Sequence, residues 1–294
     1  MSEHRKIAVL GSPGSAKSTF GLSAPGVEQH VWGSNEAATA MNFKTRTDIL
    51  PPVKFDWFDT LTDEEKNKFT DEKVSEKDIA LLIQKARAKN IIRYRRYLYG
   101  LKRDIGARKT IFLDNGTPFA QDFEDYVKVV YADEFITKEG NFNSISFAIK
   151  YKNELSDFLR MMVELPCHVV MSFHIAMTLD EATAAKADFM KDTAKGIKYS
   201  KEWQPMIMGQ AKYLLPGIFD WVFYMWTKEN PGQATQYLAK LEADDSIVGI
   251  AKSRVQPFEN PREIQFPKNN AFEFFDKAIE AYLKDGKPAP SRAK

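Results

Sequence analysis

Gly11-Ser12-Pro13-Gly14-Ser15-Ala16-Lys17-Ser18-Thr19 follows the short apolar run Ile7-Ala8-Val9-Leu10. The spacing is that of a phosphate-binding loop, G-x-x-x-x-G-K-[ST], with Ala16 where the pattern places its last glycine. Such a loop needs a strand before it and a helix after it, and Lys6–Leu10 and Lys17–Leu22 have those patterns. A triphosphate is dense negative charge, which successive backbone N–H groups at a helix start can meet. Gly11 to Thr19 are therefore the candidate nucleotide-binding residues. Lys17 is placed to reach the β- and γ-phosphates, and the Ser18 hydroxyl to hold Mg²⁺. Ala16 adds only a methyl group, but a backbone that demands positive φ there would be strained and would weaken binding. The plain alternative is an ordinary Gly/Ser turn.

Composition bounds the rest. The chain has 294 residues, 44% of them hydrophobic, enough for one large α/β domain or two small ones. No apolar run reaches the roughly 18 residues of a membrane helix, so no membrane partner is expected. Met1-Ser2-Glu3-His4-Arg5-Lys6 lacks the apolar stretch of a signal peptide. The single cysteine, Cys167, fits a reducing cytoplasm, and its place at the entry of an apolar strand suggests a buried, inert thiol. A net charge of +2 predicts no polyanion partner by itself.

Apolar runs at Lys6–Leu10, His30–Gly33, Thr110–Leu113, His168–Ser172 and Trp221–Trp226 alternate with helical stretches. That alternation predicts an α/β fold, a mostly parallel twisted sheet flanked by helices. Thr235–Ala243 and Ile247–Lys252 flank Asp244-Asp245-Ser246 and read as a β-hairpin. One domain over 1–270 is expected, with a charged helical insertion at 45–109. Within it, residues 61–78 carry seven acids against four lysines, and residues 85–109 carry ten bases against Asp104 alone. Phe272, Phe275, Ile279 and Tyr282 recur at helical spacing, which predicts an amphipathic helix over 271–284. Residues 285–294 read as a flexible tail.

Four further positions could complete the chemistry of the loop. Asp114 ends the strand Thr110-Ile111-Phe112-Leu113. In P-loop enzymes such an Asp lies beside the first strand and helps hold Mg²⁺; the alternative is a strand-end cap. Glu36, after Val31-Trp32-Gly33, is a candidate general base for the attacking water, or else a solvated loop acid. His174 ends a later strand and could sense the γ-phosphate at the edge where α/β sheets bind ligands, with Ser172 as the fallback. Lys252 and Arg254 close the hairpin and could carry positive charge to a neighbouring subunit's γ-phosphate, or stand as solvated edge charges.

The order of these pieces resembles the RecA-like ATPase core. It is most similar to small phage-encoded RecA/RadA-like ATP-binding proteins of recombination, with Gly209 and Leu215-Pro216-Gly217-Ile218-Phe219-Asp220 in the place of a segment that family carries. The resemblance covers residues 5–256 and implies a RecA-like P-loop fold, ATP and Mg²⁺ as cofactors, and ATPase activity. It also implies a head-to-tail homo-oligomer, ring or filament, and single-stranded DNA as partner, with a single-strand-binding or other replication protein as a further candidate. A phage origin would place the chain in the bacterial host cytoplasm. Ala16 departs from the family pattern and leaves the turnover rate open.

DNA-binding loops of that family correspond to about 131–146 and 175–204. In the second, five lysines are cancelled by five acids. The stretch Arg93-Tyr94-Arg95-Arg96-Tyr97-Leu98-Tyr99 interleaves bases with aromatics, as single-strand grooves do. The alternative is an amphipathic helix with Ile91, Ile92, Tyr94 and Leu98 inward, its basic side paired with the acidic helix at 61–78. Two rivals to a recombination ATPase stand open: a helicase or helicase-loading motor, and a nucleotide-gated protein-interaction module with little hydrolysis.

Overall fold

The protein is described from a computed structural model, over residues 3–33, 46–179, 201–229, 232, 234–242, 251–267 and 269–292. Lys6–Gly11 (β1) and Val27–Trp32 (β2) are buried along their whole length, as parallel strands covered on both faces must be. They join Val53–Phe55 (β3), Thr110–Asp114 (β4), His168–Leu179 (β5) and Trp221–Lys228 (β7) as parallel strands. Gln236–Lys240 (β8) and Ile264–Phe266 (β10) extend the sheet antiparallel, in the order β10-β8-β7-β1-β5-β4-β2-β3. Lys201–Pro205 (β6) folds back antiparallel on the far end of β5.

Helices cover both faces. Lys17–Leu22 (α1) and Ala271–Asp285 (α7) bury Phe20, Leu22, Phe272 and Phe275 against one side. Glu76–Arg103 (α3), Gly116–Val130 (α4) and Ser144–Val163 (α5) cover the other, with Tyr94, Phe119, Phe123 and Phe158 at its centre. The short Asp63–Asn67 (α2) is closed by a Thr62–Glu65 capping box. Leu215–Ile218 (α6) leads into β7. This is the α/β architecture of a RecA-like P-loop core, a mostly parallel sheet between two helical layers.

Several expectations change. β4 does not lie beside β1: β5 stands between them. β2 starts three residues earlier than its apolar run, because Glu28, Gln29 and His30 are buried strand residues. The hairpin's turn and most of its second strand, residues 243–250, lie outside the described residues. Lys252–Ser253 (β9) pairs with Val222 and Trp221 of β7, and β8 pairs with Tyr224–Lys228. β8 and β9 thus lie end to end along one edge of β7, and β8 has β10 as its other neighbour. The tail does not trail free: Ala289 and Arg292 form bridges with Phe258 and Gln265.

The basic stretch also resolves. Ile91, Tyr94 and Leu98 are fully buried on the inner face of α3, as the amphipathic alternative expects. Its charges, however, find acids mostly outside 61–78. Arg87 pairs with Asp122 and Asp125 at 3.2 and 2.9 Å, Arg95 with Glu154 at 3.5 Å, Lys102 with Glu164 at 2.7 Å. Only Lys89 reaches the acidic segment, at Glu65. Arg108 bonds Glu28, which also accepts from Tyr97 and from His30 Nε2; the neutral His30 ring then accepts from Tyr94 at Nδ1. Burial would lift Glu28, but the hydrogen bonds from His30 and Tyr97 and the charge of Arg108 hold it below the usual carboxylate range.

At the start of the central strand β5, His168 Nδ1 accepts from the Arg5 backbone N–H at 2.9 Å. Burial, helped by the charges of His4, Arg5 and Lys6 and opposed by Asp276, lowers His168 from 6.5 to about 4. The unfolded chain therefore takes up this proton first as pH falls. Stability should decline between pH 6.5 and 4, and His168→Asn, which keeps an acceptor for Arg5 but does not titrate, should flatten that part of the decline in thermal unfolding.

Candidate active site

β1 ends at Gly11 beside His174 and β4 ends at Asp114, while β5 does not end at His174, as the sequence suggested, but runs on past both to Leu179. A cavity of about 320 Å³ lies there, lined by residues 13–19 with Asp114, Asn115, His174 and Tyr237. The loop's path depends on two small residues. A Cβ on Gly11 would meet the Met225 carbonyl oxygen at 2.6 Å, and Gly14 turns the chain with φ +80°. Ala16 does need positive φ: it sits at φ +66°, ψ +18°, in the left-handed region, and begins α1 without a side-chain cap.

Lys17 is 5% exposed. Its Nζ donates to the Gly11 and Ser12 carbonyls at 2.9 and 2.8 Å and lies 3.5 Å from His174 Nδ1. The ammonium is thus held at the cavity floor by the loop whose ligand it would neutralise. Asp114 is almost fully buried, and both its oxygens accept: Oδ1 from Ser172 at 2.7 Å, Oδ2 from Gln29 at 3.0 Å. His174 is tied through its backbone N–H to Thr117 Oγ1, and Thr117 N–H to Asn115 Oδ1, which joins the start of α4 to the middle of β5.

The predicted loop residues, Asp114 and His174 are therefore together. Glu36 lies outside the described residues, as do residues 180–200 of the second predicted DNA loop. Lys252 and Arg254 do not line the cavity. Lys252 is level with Val222, which is level with Ala8, three residues before Gly11. Its Nζ donates to the Pro216 and Phe219 carbonyls, and Arg254 pairs with Asp220 at 2.7 Å. Gln29 was not anticipated. Its signal was the run Glu28-Gln29-His30 inside an otherwise apolar strand, where buried polar groups must find partners.

The family model described as an AAA domain matches residues 3–255. The chain belongs to the AAA domain family. It is thus a P-loop ATPase. No curated protein matches the chain. Among solved structures it is similar to a KaiC-like protein from the hyperthermophilic archaeon Pyrococcus horikoshii OT3. Identity is 10% and the TM-score 0.32, over 90% of this chain and 87% of that one.

The residues present fit a magnesium-bound nucleotide. Ser18 supplies a neutral hydroxyl and Asp114 a fixed carboxylate on the wall of the same cavity, hard oxygen donors of the kind Mg²⁺ takes beside phosphates. Two expectations follow. Ala16→Gly should relieve a left-handed alanine worth about 1 kcal/mol, offset in part by the freer unfolded chain. A rise of about 2 °C in the thermal midpoint and tighter nucleotide binding would show it, while Ala16→Val should do the reverse. Ser172→Ala or Gln29→Leu unclamps one oxygen of Asp114 and should raise the magnesium concentration needed for half-maximal turnover. Nucleotide binding measured without magnesium should stay unchanged.

Proposed function

We propose that the chain hydrolyses ATP at this cavity and couples hydrolysis to single-stranded DNA. The observation that carries the ATPase part is the meeting of Lys17, Ser18, Asp114 and His174 on one cavity at the sheet edge. Loop N–H groups and Lys17 take the phosphate charge, Ser18 and Asp114 hold magnesium, and His174 meets the terminal phosphate. Held by Ser18 and Asp114, magnesium would supply positive charge against that of the phosphates. Glu36 serves as the base for water. In a head-to-tail assembly, Arg254 exchanges Asp220 for a neighbour's phosphate, with Lys252 beside it.

The DNA part rests on what α3 leaves uncommitted. Arg96, Tyr99 and Arg103 share its exposed outer face at helical spacing, and neither arginine has an ion pair among the described residues. Arginines with an exposed ring suit an unpaired strand. One observation favours the interaction-module alternative. Ile136, Phe142, Ile145, Ile149 and Tyr213 are all more than half exposed, near an apolar groove of about 470 Å³ between α5 and Met208.

Steady-state ATP turnover with and without single-stranded DNA, over a range of salt, separates these. Lys17→Ala should cost roughly 100-fold in turnover. DNA should stimulate the wild type, less so at high salt, and Arg96→Glu with Arg103→Glu should abolish that stimulation. Turnover with neither stimulation nor salt-sensitive DNA binding would overturn the DNA part and leave the ATPase; tight binding without turnover would favour the interaction module.

A further inference from the structure

We infer that Tyr237 is the platform for the nucleoside's base, and that it makes this site prefer a purine. The inference rests on the loop being a nucleotide site, and it concerns the end of the cavity that phosphate chemistry does not use. In the sheet order β8-β7-β1-β5-β4, the loop strand β1 is central. Asp114 on β4 lies two strands to one side, and Tyr237 on β8 two strands to the other, roughly 10 Å each way at the usual strand spacing. Both line the same cavity, which therefore runs across the loop along the sheet edge.

Its two ends differ chemically. Lys17, Asp114 and His174 make one end polar and charged, suited to the terminal phosphates and their cation. Tyr237, a large aromatic ring among the described residues that line it, stands at the opposite end. A triphosphate whose terminal phosphate points to Asp114 directs its nucleoside toward Tyr237. The ring is level with Thr227 near the carboxyl end of β7, and with Phe266 of β10. It is half-buried and packed against the cluster that holds Phe20, Phe223 and Phe266. One side of the ring is thus fixed by packing, while the residue still faces the cavity. A ring held that way offers a flat surface at low entropic cost, and a purine covers more of it than a pyrimidine.

The test is titration calorimetry of the full chain, with magnesium, using ATP, CTP and inorganic tripolyphosphate as probes. Tyr237→Leu keeps apolar packing but removes the ring, and Tyr237→Phe keeps the ring. Wild type should bind ATP more tightly than CTP, and both more tightly than tripolyphosphate. Tyr237→Leu should weaken ATP about tenfold while leaving tripolyphosphate within about twofold, and Tyr237→Phe should keep wild-type affinities. Unchanged ATP affinity in Tyr237→Leu would overturn the inference. So would equal losses for ATP and tripolyphosphate, since the residue would then only shape the loop. A wild type that binds tripolyphosphate but gains nothing from a base overturns the inference and leaves the phosphate loop standing. A wild type that binds none of the three overturns the nucleotide site itself.

Discussion

The register between β1, β5 and β4 is the constraint on which the site depends. Gly11 pairs with His174, and Leu113 with Met171, so Asp114 ends β4 level with Ser172, two residues before His174, and this fixed offset brings the loop, the histidine and Asp114 to one cavity. A slip of two residues would carry Asp114 about 6.6 Å along the strand and out of reach of the cavity. A slip of one would turn every side chain to the wrong face. The packing forbids both. Ile7 and Val9 enter the layer under α1 and α7, while Ala8 and Leu10 enter the layer under α3, α4 and α5. A strand buried on both faces has no spare position, so the apolar core sets the coordinates of the polar site.

That explains which parts were legible in the sequence. β1, β4 and β5 announce themselves as apolar runs because both faces are covered, and the loop follows its strand in the predicted frame. The amphipathic face of α7 was legible for the same reason, and Gly286 at φ +67° ends that helix. β2 was misplaced because three of its six residues are polar. They are not a solvated strand: Glu28 and His30 face α3 and are satisfied by Tyr94, Tyr97 and Arg108, while Gln29 turns to Asp114. Each partner is remote along the chain. A local pattern can show that a buried polar group needs a partner, but not which one it finds.

Charge on α3 makes the same point. Ten bases in 85–109 look like a polyanion site when counted along the chain. In space, five of them lie against carboxylates, and four of those pairs use acids outside 61–78. Arg95 also lies over the rings of Tyr126 and Phe158, and Arg93 over Phe55, so their stems serve packing as well as charge. Apart from Glu65, the acids lie on α4, on or just after α5, and on β2, elements with no visible link to α3 in sequence. The expected hairpin turn, Asp244-Asp245-Ser246, lies outside the described residues; on either side of it, β8 and β9 both pair with β7.

Ala16 shows how the loop tolerates a residue that its backbone disfavours. A left-handed alanine costs on the order of 1–2 kcal/mol, which isolated backbone would not bear. Here the conformation is held from several sides. The Ala16 carbonyl accepts from Phe20 N–H, Ser15 N–H reaches the Ser12 carbonyl, and Lys17 Nζ draws the Gly11 and Ser12 carbonyls together. Hydrogen bonds from a charged donor are worth roughly 1.5–3 kcal/mol each, so the two made by Lys17 can outweigh the strain. The same ammonium is the group proposed to neutralise phosphate. On the proposed reading Lys17 both sets the shape of the loop and supplies its charge, so phosphate drawing on that ammonium would act on the bonds that hold the strain at Ala16.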